Sequence, residues 1–133
     1  MSDETDIIAL VHSYAYLLDA GDIDGVVALF AHATWHSDMN DVVRRGSTEV
    51  RPVYEQLMAS GDGARTKHLL SNVTVTAPSE TPEASSRCSW TVVQMDPTGR
   101  TRVTLTGQYL DRFVKVDGAW RFADRFIKTD PVA

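Results

Sequence analysis

Two stretches near the start of the chain repeat their apolar residues at intervals of three and four, the spacing of one face of an α-helix. The first stretch predicts a helix from about Asp3 to Ala20 that stops at Gly21. A shorter helix is expected to follow Asp22, whose side chain can cap it. The apolar positions of these two helices are Ile7, Leu10, Val11, Tyr14, Leu17 and Leu18, then Ile23, Val26, Val27 and Phe30.

A third helical pattern begins after Gly46. Pro52 is expected in the first turn of this helix, because a proline deeper inside would remove a hydrogen bond and clash with the preceding turn. Gly61 and Gly63 are expected to end the helix. Its predicted buried stripe consists of Val50, Val53, Tyr54, Leu57 and Met58.

From His68 onward the apolar residues alternate with polar ones, which is the period of a β-strand. The pair Asp117-Gly118 is typical of a two-residue hairpin, and the other loops are too short for crossover connections, so the pairing is expected to be antiparallel. Gly107 is expected to mark a bulge or bend. The predicted strands, including two short ones before the third helix, are residues 33–37, 42–45, 68–75, about 84–94, 101–116 and 119–128.

Helices in the first half and strands in the second are typical of an α+β fold. We expect one domain over residues 1–133, a cone-shaped α+β barrel in which three N-terminal helices pack on a bent, mostly antiparallel sheet. Such an arrangement leaves a pocket between the helices and the sheet. The outer face of the sheet carries apolar residues that need cover, so we also expect a homo-oligomer, either a trimer or a dimer.

The composition excludes several classes of partner. The chain has 13 Lys+Arg against 18 Asp+Glu, a formal net charge of -5, and no basic run, so nucleic acid and membrane surfaces are not expected partners. No apolar run reaches membrane-spanning length and the acidic N-terminus does not resemble a signal peptide, which predicts a cytoplasmic protein. Cys88 is the only cysteine, which excludes an internal disulfide.

The candidate chemistry is spread over the first helix and the first long strand. Tyr14 and Asp19 lie on the predicted helix, about 140° apart around its axis, and His68 opens the strand. A carboxylate can orient an imidazole, and a phenol can hydrogen-bond a developing oxyanion. Asp19 can turn inward if the helix ends beside it. From the local sequence alone, however, a structural or exposed histidine is the commoner case.

A metal site is not expected. His32 and His36 are four residues apart, which would suit one face of a helix, but their segment is predicted as a helix end and strand. Residues four apart on a strand are about 13 Å distant, and no third ligand lies nearby. The glycines are scattered and form no phosphate-binding loop, so no cofactor is expected either.

Three segments carry a resemblance to a known family: YAYLLDAGDIDGVVALF, KHLLSN and GQYLDRFVKVDGAWRFADR. With the order of the elements, they make nearly the whole chain similar to the SnoaL-like branch of the nuclear-transport-factor-two-like superfamily. Members similar to scytalone dehydratase and bile-acid dehydratase use a histidine–aspartate pair, often with a tyrosine. The resemblance implies His68 as general base, Asp19 as its partner and Tyr14 as a donor to the substrate oxygen.

The resemblance also implies an arginine of the last strand, best matched by Arg125 with Arg121 as the alternative. Both lie opposite Trp120, Phe122 and Phe126 in a simple alternation, which leaves the inward face unresolved. A second histidine that some dehydratases carry on a later strand is missing. The aromatic residues expected to contact an apolar substrate, each equally well explained as core, are Trp35, Trp90 and Tyr109.

The function expected from this pattern is a cofactor-independent lyase, a dehydratase of a small hydrophobic or polycyclic carbonyl compound. Histidine suits both the removal and the return of a proton because its unperturbed pKa is near 6.5. An isomerase or a polyketide cyclase would begin with the same proton abstraction. A non-catalytic ligand-binding or assembly module on the same fold is the alternative from a different class.

Overall fold

The protein is described here from a computed structural model, which defines residues 2–60, 65–78 and 80–131. The helices are α1 (Asp3–Asp19), α2 (Ile23–Leu29) and α3 (Gly46–Ala59), and the strands are β1 (Thr34–Ser37), β2 (Arg44–Arg45), β3 (Arg65–Thr76), β4 (Glu83–Met95), β5 (Thr101–Val116) and β6 (Ala119–Thr129). The strands form one open sheet in the order β2-β1-β6-β5-β4-β3. All pairs are antiparallel except β1 with β6. The predicted α+β fold with a mostly antiparallel sheet is confirmed.

The start of α1 is fixed by capping. Ser2 accepts a hydrogen bond from the backbone N–H of Thr5 at 3.1 Å, and the first turn is acidic, which suits the positive end of the helix dipole. The inward face of α1 contributes Ile7, Val11 and Tyr14 to the core. The predicted helix is therefore confirmed to within one residue at its C-terminus.

The position of Pro52 differs from the prediction. Pro52 is the seventh residue of α3 and lies in its second turn, not its first. The helix begins earlier, at Gly46, and Glu49 reaches back from its first turn to accept the backbone N–H of Arg45 at 2.9 Å. Packing of Val50 and Tyr54, which are 0% and 2% exposed, then holds the turn that the proline weakens.

The C-terminal end of α3 does not belong to the core. Leu57 and Met58 were predicted to be buried, but they are 47% and 36% exposed. They reach the edge of a cavity described below. The predicted helix stops at Gly61 and Gly63 lie outside the described residues.

A bulge in β3 changes which residues face the helices. The pairing of β3 with β4 shifts between Ser71 and Thr74, and Asn72 has a φ of 55°. Asn tolerates this left-handed conformation better than most residues. Before the bulge, His68 shares the inner face with Leu70, and after it Val73 takes that face. This shift explains why simple alternation made both faces of the strand look mixed.

A second register shift, in β6, also changes which residues face the helices. The pairing of β5 with β6 is displaced between Arg112 and Phe113, so Phe122 and Arg125 both face inward although they are three residues apart. The ring of Phe126 instead lies 4.9 Å from that of His36. Arg125, and not Arg121, therefore occupies the inner face.

The core is dominated by aromatic residues between the helices and the inner face of the sheet. Phe30, Phe113 and Phe122 are at most 1% exposed and pack on one another. No helix among the described residues is long and apolar enough to cross a bilayer.

Candidate active site

Asp19 owes its position to the way α1 ends. The backbone N–H of Gly21 donates to the carbonyl of Leu18, and the N–H of Asp22 donates to that of Leu17, both at 3.0 Å. This pair of bonds is a Schellman motif, and it requires the left-handed conformation that Gly21 adopts with a φ of 73°. The helix therefore stops directly after Asp19, and its carboxylate reaches across to β3.

Asp19 and His68 form a hydrogen-bonded pair. The distance between Asp19 Oδ1 and His68 Nδ1 is 2.7 Å, and both carboxylate oxygens also accept the backbone N–H of His68 at 3.0 Å. A carboxylate can only accept, so Nδ1 must carry the proton and Nε2 must hold the free lone pair of the neutral ring. Nε2 has no hydrogen-bond partner among the described residues. The arrangement is that of a general base with an orienting carboxylate.

The pair lies at the wall of a cavity of about 630 Å³ between the helices and the sheet. The side chains of His68 and Asp19 are 10% and 22% exposed. The other lining residues are Leu18, Ala20, Gly21, Leu57, Met58, Ser60, Arg65, Thr66, Trp90, Val92, Gln94, Thr104, Leu105, Tyr109, Ile127 and Thr129. The volume falls within the range of small-molecule sites, and the lining is largely apolar.

A wider groove of about 900 Å³ runs outside the cavity, along the seam between α1 and β3. It includes exposed positions such as Tyr16 and Lys67. The groove and the cavity share Asp19 and His68, so the pair lies where they meet. A molecule in the cavity would therefore contact the pair close to solvent.

Tyr14 lies in the core, away from this pair. Its hydroxyl is 2.8 Å from the hydroxyl of Tyr54, which in turn accepts the indole N–H of Trp35 at 3.1 Å. Tyr14 is 2% exposed, and neither Tyr14 nor Trp35 is among the residues that line the cavity. The structure thus brings Asp19 and His68 together without Tyr14, whose proposed role at the substrate oxygen stays a prediction.

Arg125 is enclosed in the core by one carboxylate and several rings. Its Nε and Nη2 donate to the two oxygens of Asp111 at 2.8 Å, and both side chains are fully buried. The guanidinium carbon lies 4.2 Å from the ring centroid of Tyr14 and 4.0 Å from that of Tyr109. Burial opposes the charge of the guanidinium, but Asp111 outweighs it and raises the pKa of Arg125. Arg125 does not line the cavity, so substrate binding by Arg125 also stays a prediction.

Trp90 and Tyr109 form the aromatic part of the cavity wall. Their rings stack at 5.8 Å between centroids with an interplanar angle of 27°. Gly107 lies directly under the indole, and a Cβ there would collide with Trp90 and with the backbone of Lys128. The glycine is thus required for close approach. The bulge of β5 lies elsewhere, between Val103 and Leu105.

A second histidine–aspartate pair lies outside the cavity. His36 Nε2 is 3.1 Å from Asp124 Oδ2, and these side chains are 33% and 18% exposed. Within the described residues no group of three or more His, Cys, Asp or Glu side chains is arranged to hold a metal ion. Burial raises the pKa of the Cys88 thiol to about 11, which makes it a poor nucleophile at neutral pH.

The sequence analysis did not identify Tyr54 and Asp111 as the hydrogen-bond partners of Tyr14 and Arg125. Tyr54 was assigned to the buried stripe of α3 without a partner for its hydroxyl. Asp111 interrupts an alternation of buried residues between Tyr109 and Phe113, and a charge at such a position indicates a buried partner. That signal was available in the sequence, whereas the identity of the partner depended on the bulge in β6.

A family model described as the SnoaL-like domain matches residues 1–125. The protein belongs to the SnoaL-like domain family. No curated protein matches this SnoaL-like chain significantly.

Solved structures similar to this SnoaL-like protein include one named for an activity. A candidate scytalone dehydratase from Novosphingobium aromaticivorans is 28% identical with a TM-score of 0.76, over 98% of this chain and 89% of that chain. An NTF2-like protein with a cystatin-like fold from the same organism is 21% identical with a TM-score of 0.80, over 98% and 84%. Rv3472, a protein of unknown function from Mycobacterium tuberculosis, is 24% identical with a TM-score of 0.81, over 97% and 72%. The last two likenesses establish the shared fold alone.

Proposed function

We propose that this protein is a cofactor-independent lyase, a dehydratase that acts on a small hydrophobic or polycyclic carbonyl compound. The observation that carries the proposal is the 2.7 Å contact between Asp19 Oδ1 and His68 Nδ1 at the wall of a largely apolar cavity. The contact leaves Nε2 as the basic atom of the ring. The likeness to a candidate scytalone dehydratase agrees with this class of reaction.

The proposed reaction has two steps. In the first, Nε2 of His68 takes the proton from a carbon next to the carbonyl group, and the electron pair of that C–H bond moves into an enolate. In the second, the enolate expels the hydroxyl group from the β-carbon, which forms the C=C bond. The imidazolium then returns the proton to the departing hydroxide, so that water and the unsaturated carbonyl compound are the products.

Asp19 would act through the ring. Its carboxylate holds the Nδ1–H tautomer and stabilises the imidazolium that exists between the two steps. The additional bonds to the backbone N–H of His68 limit how far the ring can move relative to the helix end. Preorganisation of this kind lowers the barrier because the ring needs no reorientation when its charge appears.

The rest of the cavity suits an apolar substrate. Trp90, Val92 and Ile127 offer apolar surface along the sheet, and Leu57 and Met58 offer it from α3. The exposed fractions of Leu57 and Met58 would fall on binding, and that burial favours an apolar ligand by about 25 cal/mol per Å². An isomerase or a cyclase would use the same base, whereas an assembly module has no need of a paired imidazole at a cavity wall.

The test is a panel of bicyclic and tricyclic β-hydroxy ketones, assayed by mass spectrometry for loss of water. We expect turnover by the wild-type protein and a loss of at least about a hundredfold in His68→Gln. His36→Gln is the matched control, because His36 also bonds an aspartate but lies outside the cavity. Undiminished turnover in His68→Gln would reject the assigned base. A wild-type protein that binds these ketones without dehydrating or rearranging any of them would favour the ligand-binding module.

A further inference from the structure

We propose that the substrate is elongated, with its reacting end in the cavity and an anionic tail in the groove between α1 and β3. The tail passes the histidine–aspartate pair and ends at Arg65 and Lys67. The inference rests on the proposed function and specifies the class of its substrate. It concerns the charge of the tail, which a carboxylate or a phosphate group would supply.

The cavity and the groove lie on opposite faces of the sheet. Successive residues of a strand point to opposite faces. In β4, Val92 and Gln94 line the cavity, whereas Val93 and Met95 line the groove. Because β3 is the last strand of the sheet, the two spaces can join around its free edge. A ligand that occupies both spaces must therefore pass around β3.

The passage around β3 runs beside the proposed base. The residues that line both spaces are Asp19, Ala20, Arg65, Thr66 and His68. The backbone N–H of His68 points toward Asp19 and away from β4. The N–H of Thr66, two residues earlier on the strand, therefore points to the same free edge. A polar tail that leaves the pair along this edge would meet a backbone donor at Thr66.

The groove carries cations although the chain has a net charge of -5. Arg65 and Lys67 line it and are exposed, and neither forms a salt bridge with the described residues. Nη2 of Arg65 instead lies 3.1 Å from the sulfur of Met95. Among the described residues that line the groove, Asp19 is the only carboxylate, and both of its oxygens accept the backbone N–H of His68. An anion in the groove would thus face two cations and one carboxylate that is already bonded.

The size of the groove indicates how long the tail is. Its volume of about 900 Å³ exceeds the 630 Å³ of the cavity, so it accommodates more than a single substituent. Arg65 precedes His68 by three residues on β3, which places the anionic group roughly 10 Å from the reacting carbon. Tyr16 is 78% exposed and lines the groove but not the cavity. Its ring offers apolar contact to the middle of the tail.

The test measures binding and does not depend on turnover. 6-(2-Naphthyl)hexanoate is compared with 6-(2-naphthyl)hexan-1-ol, which has the same ring and tail but no charge. We expect the wild-type protein to bind the acid about three- to tenfold more tightly than the alcohol at low salt, the range for two exposed ion pairs. Added salt should reduce this preference. The affinities are measured by isothermal titration calorimetry.

A third probe identifies the source of the charge. 6-(2-Naphthyl)hexyl phosphate has the same ring and tail as the acid but ends in a phosphate group. Tighter binding of the phosphate than of the acid would assign a phosphorylated tail to the substrate. Equal or weaker binding would assign a carboxylate.

The decisive variant is the double change Arg65→Gln with Lys67→Gln, which should bind the acid and the alcohol equally. The matched control is Arg87→Gln with Arg112→Gln. These two arginines are also exposed on the sheet, but they do not line the groove. The control removes the same charge from the molecule and should keep most of the preference for the acid.

The outcomes separate this inference from the proposed function. Equal binding of the acid and the alcohol by the wild-type protein, binding of neither, or a preference that survives the decisive variant would overturn the inference. His68→Gln should keep the preference whether or not the protein is a dehydratase. The NMR signals of the Tyr16 ring should shift with the acid and not with naphthalene, which has no tail. Tyr16 signals that stay unchanged while the acid binds would contradict the placement of the tail.

Discussion

Asp19 binds His68 at two places, through the backbone N–H at 3.0 Å and through ring Nδ1 at 2.7 Å. The first contact ties the end of α1 to β3, and the second sets the tautomer of the ring. Because one carboxylate makes both contacts, the position of the helix end and the tautomer of the ring depend on the same residue. The geometry of the Asp19–His68 pair therefore depends on the turn that follows Asp19.

Asp19→Asn should lower the rate of proton abstraction by about a hundredfold. The amide can still accept from the backbone N–H, but it no longer carries the charge that stabilises the imidazolium. Stability should change little, since a negative charge at a helix C-terminus is itself unfavourable. The rate is measured as turnover and the stability by urea unfolding. Asp24→Asn, a change at a side chain that is 87% exposed, is the control and should leave the rate unaltered.

The turn after Asp19 can be tested with a pair of glycines. Gly21 and Gly99 have φ values of 73° and 86°, and a Cβ at either would meet no atom within 4 Å. Alanine should therefore cost about 1–2 kcal/mol of unfolding free energy at both positions, through backbone strain alone. Only Gly21→Ala should also slow turnover, because only that change displaces Asp19. Equal turnover in the two variants would show that the Schellman turn does not position the carboxylate.

Asp111 and Arg125 should be coupled in stability. Asp111→Asn leaves a fully buried guanidinium without its counter-charge and should destabilise the fold by about 3–5 kcal/mol. The double change Asp111→Leu with Arg125→Met removes both charges and should recover much of that loss. Urea unfolding of the single and double variants measures the coupling. Additive losses in the double variant would contradict it.

The exposed apolar side chains on the outer face of the sheet lead us to expect self-association. Leu69, Val103 and Leu110 are 46%, 60% and 36% exposed on the strands. We expect a dimer or trimer in which this face is covered, and light scattering gives the mass directly. Val103→Lys should shift the protein toward the monomer, whereas Lys67→Ala, which removes a polar side chain of the neighbouring groove, should not. A wild-type monomer at micromolar concentration would contradict the expectation.

The element order and most boundaries could be predicted from periodicity, because α1, α2 and the long strands have regular apolar spacing and clear turn residues. The pairing of Asp19 with His68 was implied by the family resemblance. Helical spacing alone places Tyr14 and Asp19 about 140° apart around the axis of α1. In the structure the two side chains indeed contact different neighbours, Tyr54 and His68. That angle already indicated that the two side chains could not both reach His68 from a straight helix.

The bulges in β3 and β6 could not be predicted in the same way. A period of two carries no information on where one extra residue is inserted, yet each insertion reverses the faces of every residue beyond it. Asn72 was a possible signal, since it is one of the few residues that adopts a φ of 55° without large strain. No comparable signal marks the shift that turns Arg125 inward. The partners of Tyr14 and Arg125 therefore needed the three-dimensional structure.

The most direct test of the proposed base is the exchange of a carbon-bound proton for deuterium. 2-Tetralone, a bicyclic ketone with acidic C–H bonds next to its carbonyl group, is incubated with the protein in D₂O and followed by NMR. We expect the wild-type protein and His36→Gln to accelerate α-deuteration equally, and His68→Gln to reduce the acceleration at least about a hundredfold. Equal acceleration by His68→Gln, or none by the wild-type protein at saturating ketone, would contradict proton abstraction by His68.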